Sequence, residues 1–407
     1  MAIDTEVILD VLRYYGINPD DVDGSGLKGE LPGVGEIEEG ETVYSTSIEE
    51  VFREYEEDND FRNNREDSQI RDWQYEIDSI IRHIREVGRT TEEVKESAPI
   101  EPFCAWYCPI HFYGSGWGIY IRQECILALA TRIARQIDWP LVKCAPSSIY
   151  KQLIRSAFYI LFLHEQFHHK VESLGLRYLV STGSDRYRPY KKNVYRRHYL
   201  TSDCLEESLA NADSYRRLNE GRMKGKLDDA IKSGLKIYLK NSFLSQPPGY
   251  REGYDHTSEG SFRSGLYLLQ SQVLDGMLNP TTPPNHWKVA PNMITALENI
   301  KSDIFIILPH GAQPVFNPTW IAPGFTVSSH QLEHWCFHRH GFQRVTGGGK
   351  GSHVKVKKDG KSIMIPGNKK VLSPGIVKSA LDTIGGYSQA KLQDVLADII
   401  RGKRRLP

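Results

Sequence analysis

The sequence predicts an α+β protein of more than one domain, mainly helical through its middle and closing on a small αβββα unit. Three observations carry that prediction. The 407 residues are enough for two or three hydrophobic cores, and 40% hydrophobic with 25% charged residues is a globular composition. A block beginning near Ile100 reads mostly as helix, with the apolar run Tyr159 to Leu163 leading into His164-Glu165-Gln166-Phe167-His168. Beyond residue 328 the period shortens to two, with Val354, Val356, Ile363 and Ile365 alternating with lysines and polar residues.

The elements follow in order. Residues 4–15 have helical spacing and end at Gly16, and 20–50 are rich in glycine and acid and read as loop. Residues 47–96 set acids among Val51, Phe52, Ile80 and Ile84, the pattern of one or two solvated helices. Trp117 to Arg122 reads as a strand and 123–136 as a buried helix. The next helix is expected over about 150–174, with Gly175 placed as its stop. A stretch rich in Arg, Lys and Tyr (180–200) precedes a further helix from Ser202 or Asp203 to about Asn219. Residues 246–262 and 278–285 read as linkers, and Ile304 to Leu308 as a short strand. The last unit begins near Ser328 as a helix. Two strands meet at an Asp359-Gly360 turn, and Ser373 then Pro374 open the final helix. The expected domains are an acidic helical region over 1–98, a largely helical domain over 99–300 and the small unit over 328–407.

The formal charge of zero hides an asymmetry. Residues 1–100 carry 27 Asp and Glu against 10 Lys and Arg, whereas 341–407 carry 14 basic against 4 acidic residues. An acidic head and a basic tail imply different partners. No apolar run approaches the ~20 residues of a membrane span, and the opening Met-Ala-Ile-Asp-Thr-Glu lacks a basic-then-apolar leader, so a cytoplasmic protein with no membrane partner is expected. Six scattered cysteines do not form a disulfide framework. Cys104, Cys108 and His111 are spaced closely enough for a metal cluster, but Trp106, Tyr107 and Phe112 among them favour core.

His164 and His168 are one helical turn apart, so both imidazoles can reach a single ion, and Glu165 between them can serve as general base on a water. This is a zinc-hydrolase pattern, and a catalytic zinc needs a third protein ligand. Glu172 shares the histidines' face, but two turns place it ~12 Å from His164, too far for one ion; a solvated or supporting acid is expected there. His169 is rotated away and reads as a surface or hydrogen-bonding histidine. Downstream, Leu205-Glu206-Glu207-Ser208-Leu209-Ala210-Asn211-Ala212 places paired carboxylates at a helix start. Here the chain resembles the glutamate-zincin metallopeptidases, whose third ligand is a glutamate followed three and four residues later by a small residue and then Asp or Asn. Glu207, Ala210 and Asn211 match, although Asn stands where Asp is common. The resemblance implies a zinc site of His164, His168 and Glu207, with Asn211 orienting a ligand histidine. Glu206, about 100° around the helix, stays open as the alternative ligand. An electrophilic helper is usual in such peptidases, and Tyr178, His198 and the 186–199 stretch hold candidates.

Gly341-Phe342, Gly351-Ser352-His353, Pro366 and Leu372-x-Pro374-Gly375 are spaced as in the HicA family of toxin endoribonucleases, which residues 328–387 resemble. The resemblance implies a double-stranded-RNA-binding-like fold, His353 as the catalytic residue, and RNA contacts from Lys350, Ser352, Lys355, Lys357, Lys369 and Lys370. Many members carry a histidine after the strand-closing proline; Gly367-Asn368 stands there instead. A histidine among lysines can move a proton at a ribose 2′-OH while the cations hold phosphate. His330, His334 and His338 recur every fourth residue and read as a polar face for phosphate contacts.

Together these readings predict a two-module cytosolic protein, a zinc-dependent peptidase-like hydrolase joined to a HicA-like mRNA-binding or mRNA-cleaving toxin module. Its expected partners are RNA, a peptide or protein substrate and an antitoxin protein, in a toxin–antitoxin or phage-defence setting. The alternative is a non-catalytic RNA-binding regulator whose HExxH domain is structural or binds a partner.

Overall fold

The computed structural model describes residues 5–17, 31–35, 37, 41–57, 78–82, 84, 104–144, 146–219, 227–281, 304–309, 312, 314–316, 320–321, 327–345, 354–367, 372 and 374–385. In chain order the main elements are α1 (Thr5–Tyr14), β1 (Thr42–Thr46), α2 (Ile48–Glu57), β2 (Ala105–Cys108), β3 (Gly118–Arg122), α3 (Gln123–Ala134), α4 (Pro146–Thr182), α5 (Leu205–Arg216), α6 (Asp229–Ser245), α7 (Glu259–Asp275), β4 (Ile304–Leu308), β5 (Trp320–Ile321), α8 (Ser329–His340), β6 (Gln343–Arg344), β7 (Val354–Lys358), β8 (Lys361–Ile365) and α9 (Pro374–Ile384). The protein is α+β, and among the described residues no helix is long and apolar enough to cross a membrane. By backbone contacts it divides into two units. Residues 1–47, 107–120 and 299–407 form one, and 48–106 with 121–298 form the other, a division that cuts across the consecutive segments 1–98, 99–300 and 328–407 expected from composition.

The unit of 48–106 and 121–298 is helical and centred on α4. From Ala157 to Leu163 every residue of this helix is buried, so it is covered all round. α3 packs along one side and α5 along another, and Phe52 of α2 meets Tyr159 edge to face at 5.5 Å. α4 runs 37 residues, well past the expected stop at Gly175. A Cβ at Gly175 would lie 2.6 Å from the Cβ of Tyr187, so the glycine is there to let the following segment cross close by. That segment, 180–200, is largely helical: Tyr187–Tyr190, a π-helical turn at Lys191–Tyr195, and Arg196–His198 follow without a break. The expected linker 246–262 contains a short helix, Arg251–His256, and the start of α7. Cys104 is bonded to Cys125 and does not join Cys108 and His111 in a metal cluster.

The other unit holds two sheets. The five-stranded sheet has the order β2-β3-β4-β1-β5. Ile-Phe-Ile-Ile-Leu of β4 is buried at every position, as its central place demands, and pairs antiparallel with β1 in the register Tyr44↔Ile306. The second sheet, β6-β7-β8, lies between α8 and α9 in the chain and gives the expected helix–strand–strand–strand–helix order. Alternation works as read: Val354, Val356, Ile363 and Ile365 turn into a core with Leu332, Trp335, Cys336, Val377 and Leu381. Asp359-Gly360 closes the β7–β8 hairpin with φ of 47° and 80°. α8 begins at a complete capping box, Ser328 with Gln331. Pro374 is the first residue of α9, while Ser373 lies outside the described residues.

Candidate metal centre

α4 projects His164 and His168 from successive turns towards the first turn of α5, and the two rings are 5.1 Å apart at 72°. Glu207 meets them. Its Oε2 is 3.0 Å from His164 Nε2 and 3.5 Å from His168 Nε2, and the two Nε2 atoms are 3.3 Å apart. Ligands about 2.0–2.1 Å from a tetrahedral zinc are separated by roughly 3.3 Å, so this triangle has the edges such an ion imposes. Among the described residues it is the one group of three or more His, Cys, Asp or Glu converging in this way.

The far side of each ligand is fixed. Asn211 Oδ1 is 2.9 Å from His164 Nδ1. The Asn211 amide donates to Gln246 Oε1 (2.6 Å) and to the Tyr250 carbonyl (2.9 Å), which turns its oxygen towards the histidine. His168 Nδ1 is 2.7 Å from Glu206 Oε1. Both histidines thus have acceptors at Nδ1, which favours a proton there and would leave each Nε2 to a metal ion. Glu206 also accepts from Tyr190 Oη (2.8 Å) and Lys191 Nζ (3.0 Å), and Tyr195 Oη donates to Glu207 Oε1 (2.5 Å). The choice between the paired glutamates follows: Glu206 is consumed by His168, Tyr190 and Lys191, whereas Glu207 keeps Oε2 for the centre.

The electrostatics of the cluster are set by burial and by the close approach of opposite charges. Burial opposes charge on every group here. Against it, Lys191 and His168 hold Glu206 below the usual carboxylate range, and His168 with His164 holds Glu207 well below it. Burial would lower His168, but Glu207 and Glu206 together push it up to about 10. Glu165 goes the other way: burial raises it, against the pull of His164 and His168.

His164 and Glu165 open onto a cavity of about 90 Å³, walled by Leu129, Ile160, Leu239 and Phe243 with Asn211, Gln246 and Tyr250 at its polar edge. The Tyr250 ring stacks on His164 at 5.7 Å and 9°, and its hydroxyl is 3.2 Å from Tyr199 Oη. Gly253 makes this possible: a Cβ there would lie 2.9 Å from the Ser208 carbonyl, so only glycine lets the turn carrying Tyr250 reach α5.

Other expected residues fall elsewhere. Glu172 is outside the cluster, as the helix-length argument requires, but it is buried and not solvated. His169 is buried too, not a surface histidine, and burial lowers it to about 4. Tyr178 has Arg186 over its ring at 5.8 Å, and His198 Nδ1 is 3.7 Å from Asp203; neither lines the cavity. Tyr190, Lys191 and Tyr195 fall within the 186–199 stretch that sequence reasoning offered for a helper but were not singled out in it, whereas Gln246 and Tyr250 had no signal in the sequence. In the αβββα region, Lys355 is half-buried and Lys357 exposed on β7, on the face opposite Val354 and Val356. His353, Lys350, Ser352, Lys369 and Lys370 lie outside the described residues. Lys358 Nζ donates to the His340 carbonyl (2.6 Å) and Lys361 Nζ to that of Ile384 (3.4 Å), so these two lysines close the C-termini of α8 and α9. The rings of His330, His334 and His338 follow one another at 6.4 and 4.1 Å. Burial and the charges of His338 and His330 lower His334.

No protein-family model matches the chain, and searches of curated proteins and of solved structures found no match either.

Proposed function

We propose that this protein is a zinc-dependent, peptidase-like hydrolase with an RNA-binding C-terminal module. The single observation that carries the hydrolase reading is the triangle of His164 Nε2, His168 Nε2 and Glu207 Oε2 beside a buried glutamate on a cavity. The donor set fits zinc: two imidazole nitrogens, which would be neutral with the ion bound, and one carboxylate, each held from behind. Charge fits as well. Glu206 and Glu207 are buried and held ionised beside Lys191 and a raised His168, and a divalent ion would take over the positive charge that the His168 proton otherwise supplies.

Zinc bound to His164, His168 and Glu207 would supply a Lewis acid that polarises a carbonyl and acidifies water. The chain's own residues do the rest. Glu165, whose carboxyl burial raises above its usual range, would as carboxylate take the proton of the attacking water and pass it to the departing amine. Tyr250 lines the same cavity, and its hydroxyl, paired with that of Tyr199, could donate to the carbonyl oxygen as negative charge develops. The apolar side chains that line the cavity lower the polarity around both interactions, which strengthens them.

The αβββα order and the lysines of β7 support the reading of 328–407 as an RNA-binding module. Cleavage at His353, an antitoxin partner and a cytoplasmic toxin–antitoxin or defence role belong to the same proposal through the HicA resemblance. The test is elemental analysis of the purified protein. About one zinc per chain is expected, lost in His168→Ala and kept in Glu165→Gln; a folded parent protein that takes up no zinc overturns the hydrolase reading.

A further inference from the structure

We infer that the π-helical turn at Lys191–Tyr195 is a positioning device for the metal centre, a single widened turn that assigns each of the paired glutamates its task. The inference rests on the zinc reading above and concerns residues that touch no substrate. Three side chains of this segment reach the two glutamates: Tyr190 and Lys191 bond Glu206, and Tyr195 bonds Glu207. In a regular α-helix, residues five apart face about 140° away from each other, so Tyr190 and Tyr195 could not both address α5. Bonding from i to i+5 widens the turn and brings positions five apart onto one face. The extra residue is accommodated outward, where Lys192 and Asn193 are exposed.

Lys191 shows what the turn secures. The side chain is buried, at 4% exposure, with its ammonium 3.0 Å from Glu206 Oε1 and 3.5 Å from the Tyr195 ring centroid. A buried ammonium with one carboxylate partner and an aromatic face has little freedom to move. It holds Glu206 on the side away from the centre, where that carboxylate accepts from His168 Nδ1 and keeps His168 Nε2 aimed inward. Tyr195 meanwhile occupies one oxygen of Glu207 and leaves the other, Oε2, to a metal. The same turn therefore withholds one glutamate from the ion and presents the other with a single oxygen.

The test uses the full chain and three readouts: zinc affinity by competition with a chromophoric chelator, the ligand-field spectrum of the cobalt-loaded protein, and helicity by circular dichroism. Deleting Asn193 removes the extra residue and returns the turn to α-helical register. The expected result is a 10- to 100-fold loss of zinc affinity and an altered cobalt spectrum with helicity retained, the range seen when groups behind metal ligands are removed. Asn193→Ala, which keeps the residue count, should bind zinc within twofold of the parent. Tyr190→Phe and Tyr195→Phe remove one hydrogen bond each at almost constant volume and decide the matter if the deletion does not fold. Each should weaken zinc several-fold and shift the cobalt bands. Unchanged affinity and spectra in the folded deletion variant, or in both tyrosine variants, overturn the positioning role while leaving the zinc site standing. A parent that binds no zinc overturns the zinc reading itself.

Discussion

At the scale of single residues, Glu165 and Glu207 show how one residue type is given two tasks by its surroundings. Glu207 faces two imidazoles and is held ionised, as the proposed metal ligand must be. Glu165 faces a largely apolar cavity and burial pushes it towards its protonated form, which suits the proton carrier proposed for it. Glu165→Gln should therefore retain zinc and the fold while lowering peptide turnover about 10²- to 10⁴-fold, measured on a peptide library with the zinc-loaded protein. The buried pair Lys170–Asp213 (2.9 Å), joined by Arg217, lies on the same two helices and makes a separate stability prediction. Burial would raise Asp213, but Lys170 and Arg217 outweigh it and hold the carboxyl below its usual range. A depressed carboxylate contributes stability that is fully present above its unfolded pKa of about 3.9 and is lost as pH falls below that towards the folded value. Asp213→Asn leaves a buried ammonium short of its partner and should cost about 3–5 kcal/mol at pH 7 in urea unfolding, with a smaller difference from the parent near pH 3.

At the scale of elements, the histidine pair was legible because helical periodicity alone puts residues 164 and 168 on one face. The choice between Glu206 and Glu207 was not. Adjacent residues differ by about 100° around α5, and which of them meets α4 depends on how the helices pack and on what else is buried with them. The Tyr190–Lys191–Tyr195 contacts settle it, and a π turn leaves no simple period in the sequence. Gly175 misled for a related reason: glycine marks both helix ends and close crossings, and Tyr187, twelve residues on, decides for the second. Gly175→Ala must push against Tyr187 and should destabilise by about 1–3 kcal/mol in thermal or urea unfolding, whereas a mere helix-ending glycine replaced within a continuous helix would be neutral or stabilising. At α8 both levels agree. Ser328→Ala removes the cap and should cost about 1 kcal/mol.

At the scale of the whole molecule, a helical unit carries the metal cluster and the other unit carries the basic β7–β8 hairpin. The two proposed chemistries answer to different variables. RNA binding by the full chain should weaken linearly in log salt, and Lys355→Ala and Lys357→Ala should each reduce that slope by about 0.7 for single-stranded RNA; a slope that ignores both changes removes these lysines from the interface. Zinc binding should raise the resistance of the protein to urea by about 4 kcal/mol at a free concentration a thousand times the dissociation constant, and His168→Ala should abolish that gain.

The sequence by itself determined the α+β class, the helix bearing His164, Glu165 and His168, the small αβββα order and the alternation that fills its core, because each follows from a local period of hydrophobic and polar residues. Only the tertiary structure decided which glutamate completes the cluster, which groups hold it from behind, and that Tyr250 stands at the cavity edge. Those assignments depend on side chains from 12 to 86 residues apart meeting in a buried site. In such a site every charge must find a partner, and burial, not sequence spacing, selects it.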